Sequence, residues 1–303
     1  MVENLLNAQI SILILILIGC ALTKLGLLNT EFRKYLTDFV ICFVLPCNII
    51  KSFMMEFDMQ ILRSCLGAFA VSLMTQAVSF VAGKMLYPQA AEDKRASLQY
   101  ATMISNAGFL GNPIVEGLYG GQGLLYASVY LIPQRVMMWS VGVSCFTGRK
   151  GDGVLKKALT HPCIVAVGIG MVLMITQIQL PEWLDRPLTF SGNCNTALSL
   201  IVIGGILAES DPRRMLNKTS LYYCVIRLVI IPLFVLAGGM CAGLSRTVVE
   251  ITTVLAGMPA PLTTAILASK YEKNEAFAVS LVFVSTVFSI FTVPALSLLM
   301  MLL

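Results

Sequence analysis

Apolar runs of roughly 20 residues recur along the whole chain, and each is long enough to cross a bilayer as a helix. This feature constrains the fold most, because backbone groups in hydrocarbon must find hydrogen-bond partners and a helix supplies them within one segment. Apolar residues make up 57% of the 303 residues, and charged residues make up only 12%. The pattern excludes a soluble enzyme, a nucleic-acid binder, a disordered chain and a secreted disulfide scaffold.

The runs predict an all-α membrane protein with ten transmembrane helices. The fourth and ninth runs are the least uniform, since Asn, Thr, Gly and Pro interrupt them. The predicted spans are 5–23, 36–54, 64–86, 98–119, 122–146, 161–180, 190–208, 220–243, 247–269 and 276–302.

Basic residues are distributed unevenly between the loops that connect these spans. Fifteen of the 21 Lys and Arg residues fall in one set of loops, and four fall in the opposite set. Because cytoplasmic loops carry the excess of basic residues, the first set is predicted to face the cytoplasm. A multi-pass protein of the plasma or inner membrane with both termini outside the cytoplasm is therefore expected.

The longest basic connection divides the chain into two halves of five spans each. The predicted units are residues 1–148, a cytoplasmic linker at 149–160, and residues 161–303. An odd number of spans per half gives the second half the opposite polarity in the membrane, which is the setting of an inverted repeat.

A Gly-x-Pro motif occurs inside the fourth span of each half. Gly111-Asn112-Pro113 and Gly257-Met258-Pro259 are 146 residues apart. Proline removes a backbone donor and clashes with the preceding turn, so each motif favours an interrupted helix. Interrupted spans at corresponding places indicate a central transport site, and half-helix N-termini suit a carboxylate. The alternative is a pair of ordinary proline kinks.

Polar and small residues around the two motifs are the candidates for binding a substrate. The Asn side chains could instead form hydrogen bonds between helices, and Thr could bond to its own helix. The primary candidates are Asn106, Gly111, Asn112, Pro113, Pro259, Ala260 and Thr263, and the secondary candidates are Pro46, Asn48 and Gln134.

Three charged residues lie inside predicted spans and away from the span ends. Arg135 lies near the middle of the fifth span, where an arginine costs at least about 2.5 kcal/mol, so it needs a partner. That partner could be Glu116, an anionic substrate or the carbonyl groups of a broken helix. Glu116 could carry a coupled proton or reach the outer interface. Arg227 lies nearer the cytoplasmic end of its span, and we expect a structural residue that reaches towards the interface.

Metal and cofactor chemistry is not indicated. None of the nine cysteines has C-x-x-C spacing, and His161 is the single histidine. No bound metal or cofactor is therefore expected, and the lipid bilayer and a small carboxylate are the expected partners.

In its motifs the chain resembles the auxin efflux carrier family, in the branch of bacterial organic-acid carriers. The order and spacing of short motifs carry this resemblance over the full length. The matching stretches are Lys24-Leu25-Gly26, Val44-Leu45-Pro46, Asn106-Ala107-Gly108-Phe109-Leu110-Gly111-Asn112-Pro113, Gly117-Leu118-Tyr119-Gly120, Trp139, Pro259 and Ala268-Ser269-Lys270-Tyr271.

The resemblance implies a bile-acid-symporter-like fold and an elevator mechanism. A dimerising scaffold would be formed by spans 1, 2, 6 and 7. A mobile transport domain would be formed by spans 3–5 and 8–10. The fourth and ninth spans would cross at their breaks, where the substrate carboxylate docks beside Asn106, Pro113 and Pro259. Arg135 departs from the polar residue usual in the plant carriers, so a small carboxylate such as malate or malonate is expected rather than auxin.

Two other functions are open. A sensor or receptor would bind an organic anion without moving it, although no signalling domain is attached. An intramembrane enzyme is remote, because the sequence has no HExxH or G-x-S-x-G motif and no paired aspartates. No Walker A motif is present either, so a secondary carrier is expected rather than a pump.

Overall fold

A computed structural model describes residues 2–54, 58–147, 160–208 and 216–303, without the side chains of residues 2–9, Ile12 and Trp139. Every regular element in these ranges is helical. The α-helices are α1 (Val2–Lys24), α2 (Thr30–Phe39), α3 (Leu45–Phe53), α4 (Met59–Met85), α5 (Glu92–Met103), α6 (Asn112–Met137), α7 (Val143–Thr147), α8 (Pro162–Thr176), α9 (Glu182–Ala208), α10 (Lys218–Val225), α11 (Ile231–Cys241), α12 (Arg246–Ala256), α13 (Thr263–Lys270) and α14 (Glu275–Leu302).

Several of these helices have the length and apolar composition of membrane spans. Among the described residues, five continuous helical segments are long and apolar enough to cross a membrane. They are Thr30–Phe53, Met59–Met85, Glu182–Ala208, Lys218–Cys241 and Glu275–Leu302. The chain is therefore an all-helical, multi-pass membrane protein.

Two of the five long segments contain a π-helical stretch just before a proline. Val40–Val44 precedes Leu45-Pro46, and Ile226–Ile230 precedes Ile231-Pro232. A proline ring clashes with the carbonyl group four residues earlier, and a π-helical turn widens the backbone there. Pro46 and Pro232 are thereby accommodated within continuous helices.

The backbone is interrupted at the second Gly-x-Pro motif and shortly before the first, whereas Gly111-Asn112-Pro113 itself is helical. Helix α5 ends at Met103, Ile104 is extended, and a π-helical stretch begins at Ala107. Helix α12 ends at Ala256, and α13 begins at Thr263. We refer to residues 104–106 as the first break and residues 257–262 as the second break.

The described residues divide into two compact units. Unit 1 comprises residues within 1–65, 109–129 and 159–210, and unit 2 comprises residues within 66–108, 130–158 and 211–303. Helix α6 begins in unit 1 and ends in unit 2, with a non-helical Gly120 at a φ of 62° along its length.

Unit 1 is built on a very close contact between α1 and α9. A Cβ atom added to Gly19 would lie 2.1 Å from the Ile201 carbonyl oxygen, and one added to Gly204 would lie 1.9 Å from the Ile16 oxygen. The backbones approach this closely only because both positions lack a side chain, as small residues permit between membrane helices. Helix α3 packs between α8 and α9 in the same unit.

Unit 2 has an apolar core that several short helices share. Tyr100, Met103 and Ile104 from α5 and its end pack with Phe146 of α7 and Leu267 of α13. The Tyr100 and Phe146 rings meet edge to face, with their centroids 5.4 Å apart. The core thereby fixes the ends of the helices that border both breaks.

Candidate functional site

The two breaks lie against each other within unit 2. The backbone N–H of Asn106 in the first break donates to the Pro259 carbonyl oxygen in the second break, at 2.8 Å. Both segments are buried: Asn106 is 8% exposed, and Met258 and Ala260 are 0% exposed. Non-helical backbone at membrane depth persists only where protein or a polar cavity covers it, and here each break partly covers the other.

Gln134 holds the first break through two hydrogen bonds. Its Nε2 donates to the Ser105 carbonyl oxygen at 2.7 Å, and its Oε1 accepts from Ser105 Oγ at 3.0 Å. The sequence identified Gln134 only as a secondary candidate for binding. The structure places it as a residue that satisfies the backbone freed by the break.

Arg135 lies against Gly108, two residues beyond the first break. A Cβ atom added to Gly108 would lie only 2.6 Å from Arg135 Nη2, so the guanidinium occupies the space that a side chain would fill. This places a positive charge within two residues of Asn106. The glycine is therefore needed for the position of the arginine.

The second break is held by hydroxyl groups. Ser285 Oγ of α14 accepts a hydrogen bond from the Ala260 N–H at 3.1 Å. The Thr263 and Tyr100 hydroxyls share a bond of 2.8 Å, so Thr263 pairs with a helix bordering the first break.

Arg227 bonds to backbone at both breaks. Its Nη1 donates to the Thr102 carbonyl oxygen at 2.9 Å, near the end of α5, and its Nε donates to the Met258 oxygen at 3.2 Å. The side chain is 1% exposed. The expectation that Arg227 extends towards the membrane interface is therefore wrong, because its guanidinium turns inward to carbonyl groups that the breaks release from helical bonding.

The remaining sequence candidates belong to unit 1. Gly111, Asn112 and Pro113 lie at the end of the π-helical stretch and the start of α6. Asn112 is 0% exposed, and neither polar atom of its side chain has a hydrogen-bond partner among the described residues. A buried amide without partners is costly, so Asn112 marks a polar position that this arrangement leaves unsatisfied.

Glu116 and Asn48 pair with each other within unit 1. Asn48 Nδ2 donates to Glu116 Oε1 at 3.0 Å and to Oε2 at 2.9 Å. Thr196 Oγ1 of α9 donates to Oε2 at 3.3 Å. The sequence identified both Glu116 and Asn48 but gave no sign that they meet, because spacing along the chain does not reveal which helix faces pack. Pro46 lies in the first turn of the same helix as Asn48, α3.

The electrostatic character of unit 2 follows from these contacts. Arg227 forms no hydrogen bond or ion pair with a carboxylate in the described part of the chain, and its two bonds go to neutral carbonyl oxygens. A buried positive charge without a bonded carboxylate favours an anion nearby. The arrangement suits anion binding, whereas no group of three or more His, Cys, Asp or Glu side chains among the described residues could hold a metal ion.

Comparison with known proteins agrees with the helical architecture. A profile of the membrane transport protein family matches residues 5–155 and 151–297. An uncharacterized transporter from Methanothermobacter thermautotrophicus is 26% identical over 296 residues, covering 94% of this chain and 95% of the relative. An uncharacterized transporter from Methanocaldococcus jannaschii is 22% identical over 303 residues, covering 95% of this chain and 96% of the relative. The chain therefore belongs to the membrane transport protein family, the auxin efflux carrier family that its sequence motifs resemble.

Proposed function

We propose that the protein is a secondary transporter of small organic anions and that the substrate carboxylate docks where the two breaks meet. The hydrogen bond between Asn106 and Pro259 carries this proposal, because it brings two non-helical segments of a membrane protein together. Backbone N–H groups at helix ends bind carboxylates, and transporters build their central sites from such interrupted helices. Asn106, Ala260 and Thr263 then lie beside the substrate.

The charge of the site favours a dicarboxylate such as malate or malonate. Arg135 lies over Gly108 beside the first break, and Arg227 bonds to backbone at both breaks. A bound anion offsets the cost of burying the Arg227 guanidinium. An arginine can also bind a carboxylate through two parallel hydrogen bonds, and Arg135 is suited to this role.

We further propose ten spans in two inverted halves, 1–148 and 161–303, with an elevator motion in the cell membrane. The two units support a division into scaffold and transport domain. Unit 1 contains α1, α2, α3, α8 and α9, whereas unit 2 contains most of α4 together with α5, α7 and α10–α14. Residues 109–129 depart from the simple division by joining unit 1. In this scheme spans 1, 2, 6 and 7 form the homodimer, and both termini face outward.

The proposal is tested by transient currents from purified protein in liposomes on a solid-supported membrane. Pulses of malate, malonate, succinate, citrate, lactate and indole acetate identify the substrate class. We expect currents with dicarboxylates in the wild type and none in Arg135→Ala, because the variant loses the charge beside the first break.

The matched control is Arg186→Ala. Arg186 is exposed and pairs with Glu182 one turn away on α9, so its removal should leave the currents unchanged. Dicarboxylate currents of wild-type size in Arg135→Ala would remove that residue from the site. Saturable binding of an acid without current or exchange would support an anion sensor in place of a carrier.

A further inference from the structure

Glu116 of α6 is contacted by neutral side chains from two other helices of unit 1, α3 and α9. Asn48 of α3 bonds to both carboxylate oxygens, and Thr196 of α9 bonds to one of them. The amide of Asn195, also on α9, faces the same carboxyl group. Asn195 is 1% exposed, and its Nδ2 forms no hydrogen bond within the described residues.

The two asparagines occupy matching places in the halves of the chain. Asn48 lies in the second predicted span and Asn195 in the seventh, and they are 147 residues apart. The Gly-x-Pro motifs show almost the same offset, 146 residues. Gly192 lies one helical turn before Asn195, and a Cβ atom added to it would lie 3.0 Å from Asn48 Cα. The backbones of α3 and α9 therefore approach closely at this cluster.

Glu116 has no basic side chain as a partner in the described part of unit 1. On α3 the only basic residue is Lys51, which is bonded to Asp185 of α9. Arg186 of α9 is exposed and bonded to Glu182. The stretch 112–119 of α6 has no charged residue besides Glu116. A half-buried carboxylate held only by neutral groups has a place for one compensating positive charge.

The chemistry of the cluster matches a small monovalent cation. The available oxygen atoms are the Glu116 carboxylate, the Thr196 hydroxyl and the amide oxygens of Asn48 and Asn195, which are hard ligands. One carboxylate balances a single positive charge, whereas sites for divalent ions use more of them. Rotation of an asparagine amide exchanges the positions of its NH₂ group and its oxygen. The same side chain can therefore donate to the carboxylate when no ion is bound, or ligate an ion through its oxygen.

We propose that Glu116, Asn48, Asn195 and Thr196 bind one monovalent cation, H⁺ or Na⁺, and that this cation drives transport of the anion. Binding itself is independent of the proposed carrier activity, but its coupling to substrate rests on that activity. The cluster lies entirely in unit 1, whereas Arg135, Arg227 and the two breaks lie in unit 2.

Infrared difference spectroscopy of the protein in liposomes tests the binding without any substrate. One arm exchanges choline for Na⁺ at constant pH, and the other titrates pH in choline alone. Other carboxyl groups also take up protons in the pH arm, so the Glu116 band is the part of the wild-type response that Glu116→Gln lacks. We expect this band to respond in one arm, which identifies the cation. Glu250→Gln, which removes a carboxylate that pairs with Arg246 in unit 2, should keep the band.

Two further variants test the cluster should Glu116→Gln fail to fold. Asn195→Leu and Thr196→Val each remove one polar group facing the carboxylate. If the cation is Na⁺, each should weaken its apparent affinity about tenfold or more, because a ligand is lost. If the cation is H⁺, each should instead strengthen proton binding, because the ionised carboxylate loses a hydrogen-bond donor. Unchanged affinity in both variants, or a Glu116 band that responds in neither arm, would overturn the proposal.

Flux measurements then separate this site from the carrier activity. Anion currents in the wild type should depend on the cation found by infrared, and Glu116→Gln should abolish that dependence. A carboxyl response without currents for any acid would contradict the carrier function and leave the cation site standing. Currents that ignore both Na⁺ and pH would reject the coupling.

Discussion

Arg227 offers the sharpest test of how the two breaks are held. Its guanidinium presents two nitrogen atoms at a fixed separation, one bonded to the Thr102 oxygen and the other to the Met258 oxygen. The ammonium group of lysine keeps the charge but lacks the planar fork that bonds both carbonyl groups at once. Arg227→Lys therefore removes one charge-assisted hydrogen bond while preserving the positive charge.

The expected magnitude follows from that single bond. A hydrogen bond to a charged group contributes about 1.5–3 kcal/mol. Since 1.4 kcal/mol corresponds to a factor of ten, the equilibrium constant for the arrangement with both breaks in place should fall about 10- to 150-fold. Arg227→Met removes both bonds and the charge, so its transport should fall further. Its folding should suffer less than the lost bonds suggest, because a desolvated charge is also removed.

The assay is the initial rate of uptake of the best substrate from the current measurements, normalised to monodisperse protein in the liposomes. Arg186→Ala is again the matched control, since it removes an arginine from an exposed ion pair. The reasoning about Arg227 would be refuted by an Arg227→Lys protein that equals wild type in both uptake and thermal midpoint, since the loss of even the weaker bond should lower one of them.

Two glycine substitutions give further tests. Gly108→Ala places a Cβ atom 2.6 Å from Arg135 Nη2, so we expect the substitution to displace the guanidinium and abolish the currents. The size-exclusion profile should stay normal. Currents of wild-type size would contradict the placement of Arg135. Gly204→Ala places a Cβ atom 1.9 Å from the Ile16 oxygen and should destabilise the protein by about 1–3 kcal/mol or more, seen as a lower thermal midpoint. Gly168→Ala meets no atom within 4 Å and should leave that midpoint unchanged or raised; equal effects of the two would reject the close contact of α1 and α9.

The sequence predicted the helical class from local chemistry. Hydropathy marks long apolar runs. Gly257-Met258-Pro259 lies in the second break, whereas Gly111-Asn112-Pro113 lies in helical residues that follow the first break. The starts of α5 and α9 were predicted six to eight residues too late. Both helices begin with acidic residues, Glu92 and Glu182, which stabilise a helix N-terminus but lower the hydropathy that defined the predicted spans.

Contacts between distant residues were beyond the sequence. Arg227 was identified as an ionisable residue inside a span, but the carbonyl groups it bonds lie 125 and 31 residues away in the chain. The pairing of Asn48 with Glu116 and the approach of Asn195 depend on which helix faces pack. The matched offset of the two asparagines was the one available signal, and it gains meaning only once α3 and α9 are seen together.

The close contact of α1 with α9 also has a consequence for biosynthesis. Cys20 donates from its sulfur to the Gly204 oxygen at 3.0 Å across 184 residues of chain. At ordinary rates of translation the ribosome needs roughly 10–40 s to make that length. During this interval the face of α1 that contains Gly19 meets lipid or the insertion machinery, because α9 has not yet been made. The first helix must therefore be held in the bilayer by its own apolar side chains, and assembly of unit 1 waits for α9 to emerge.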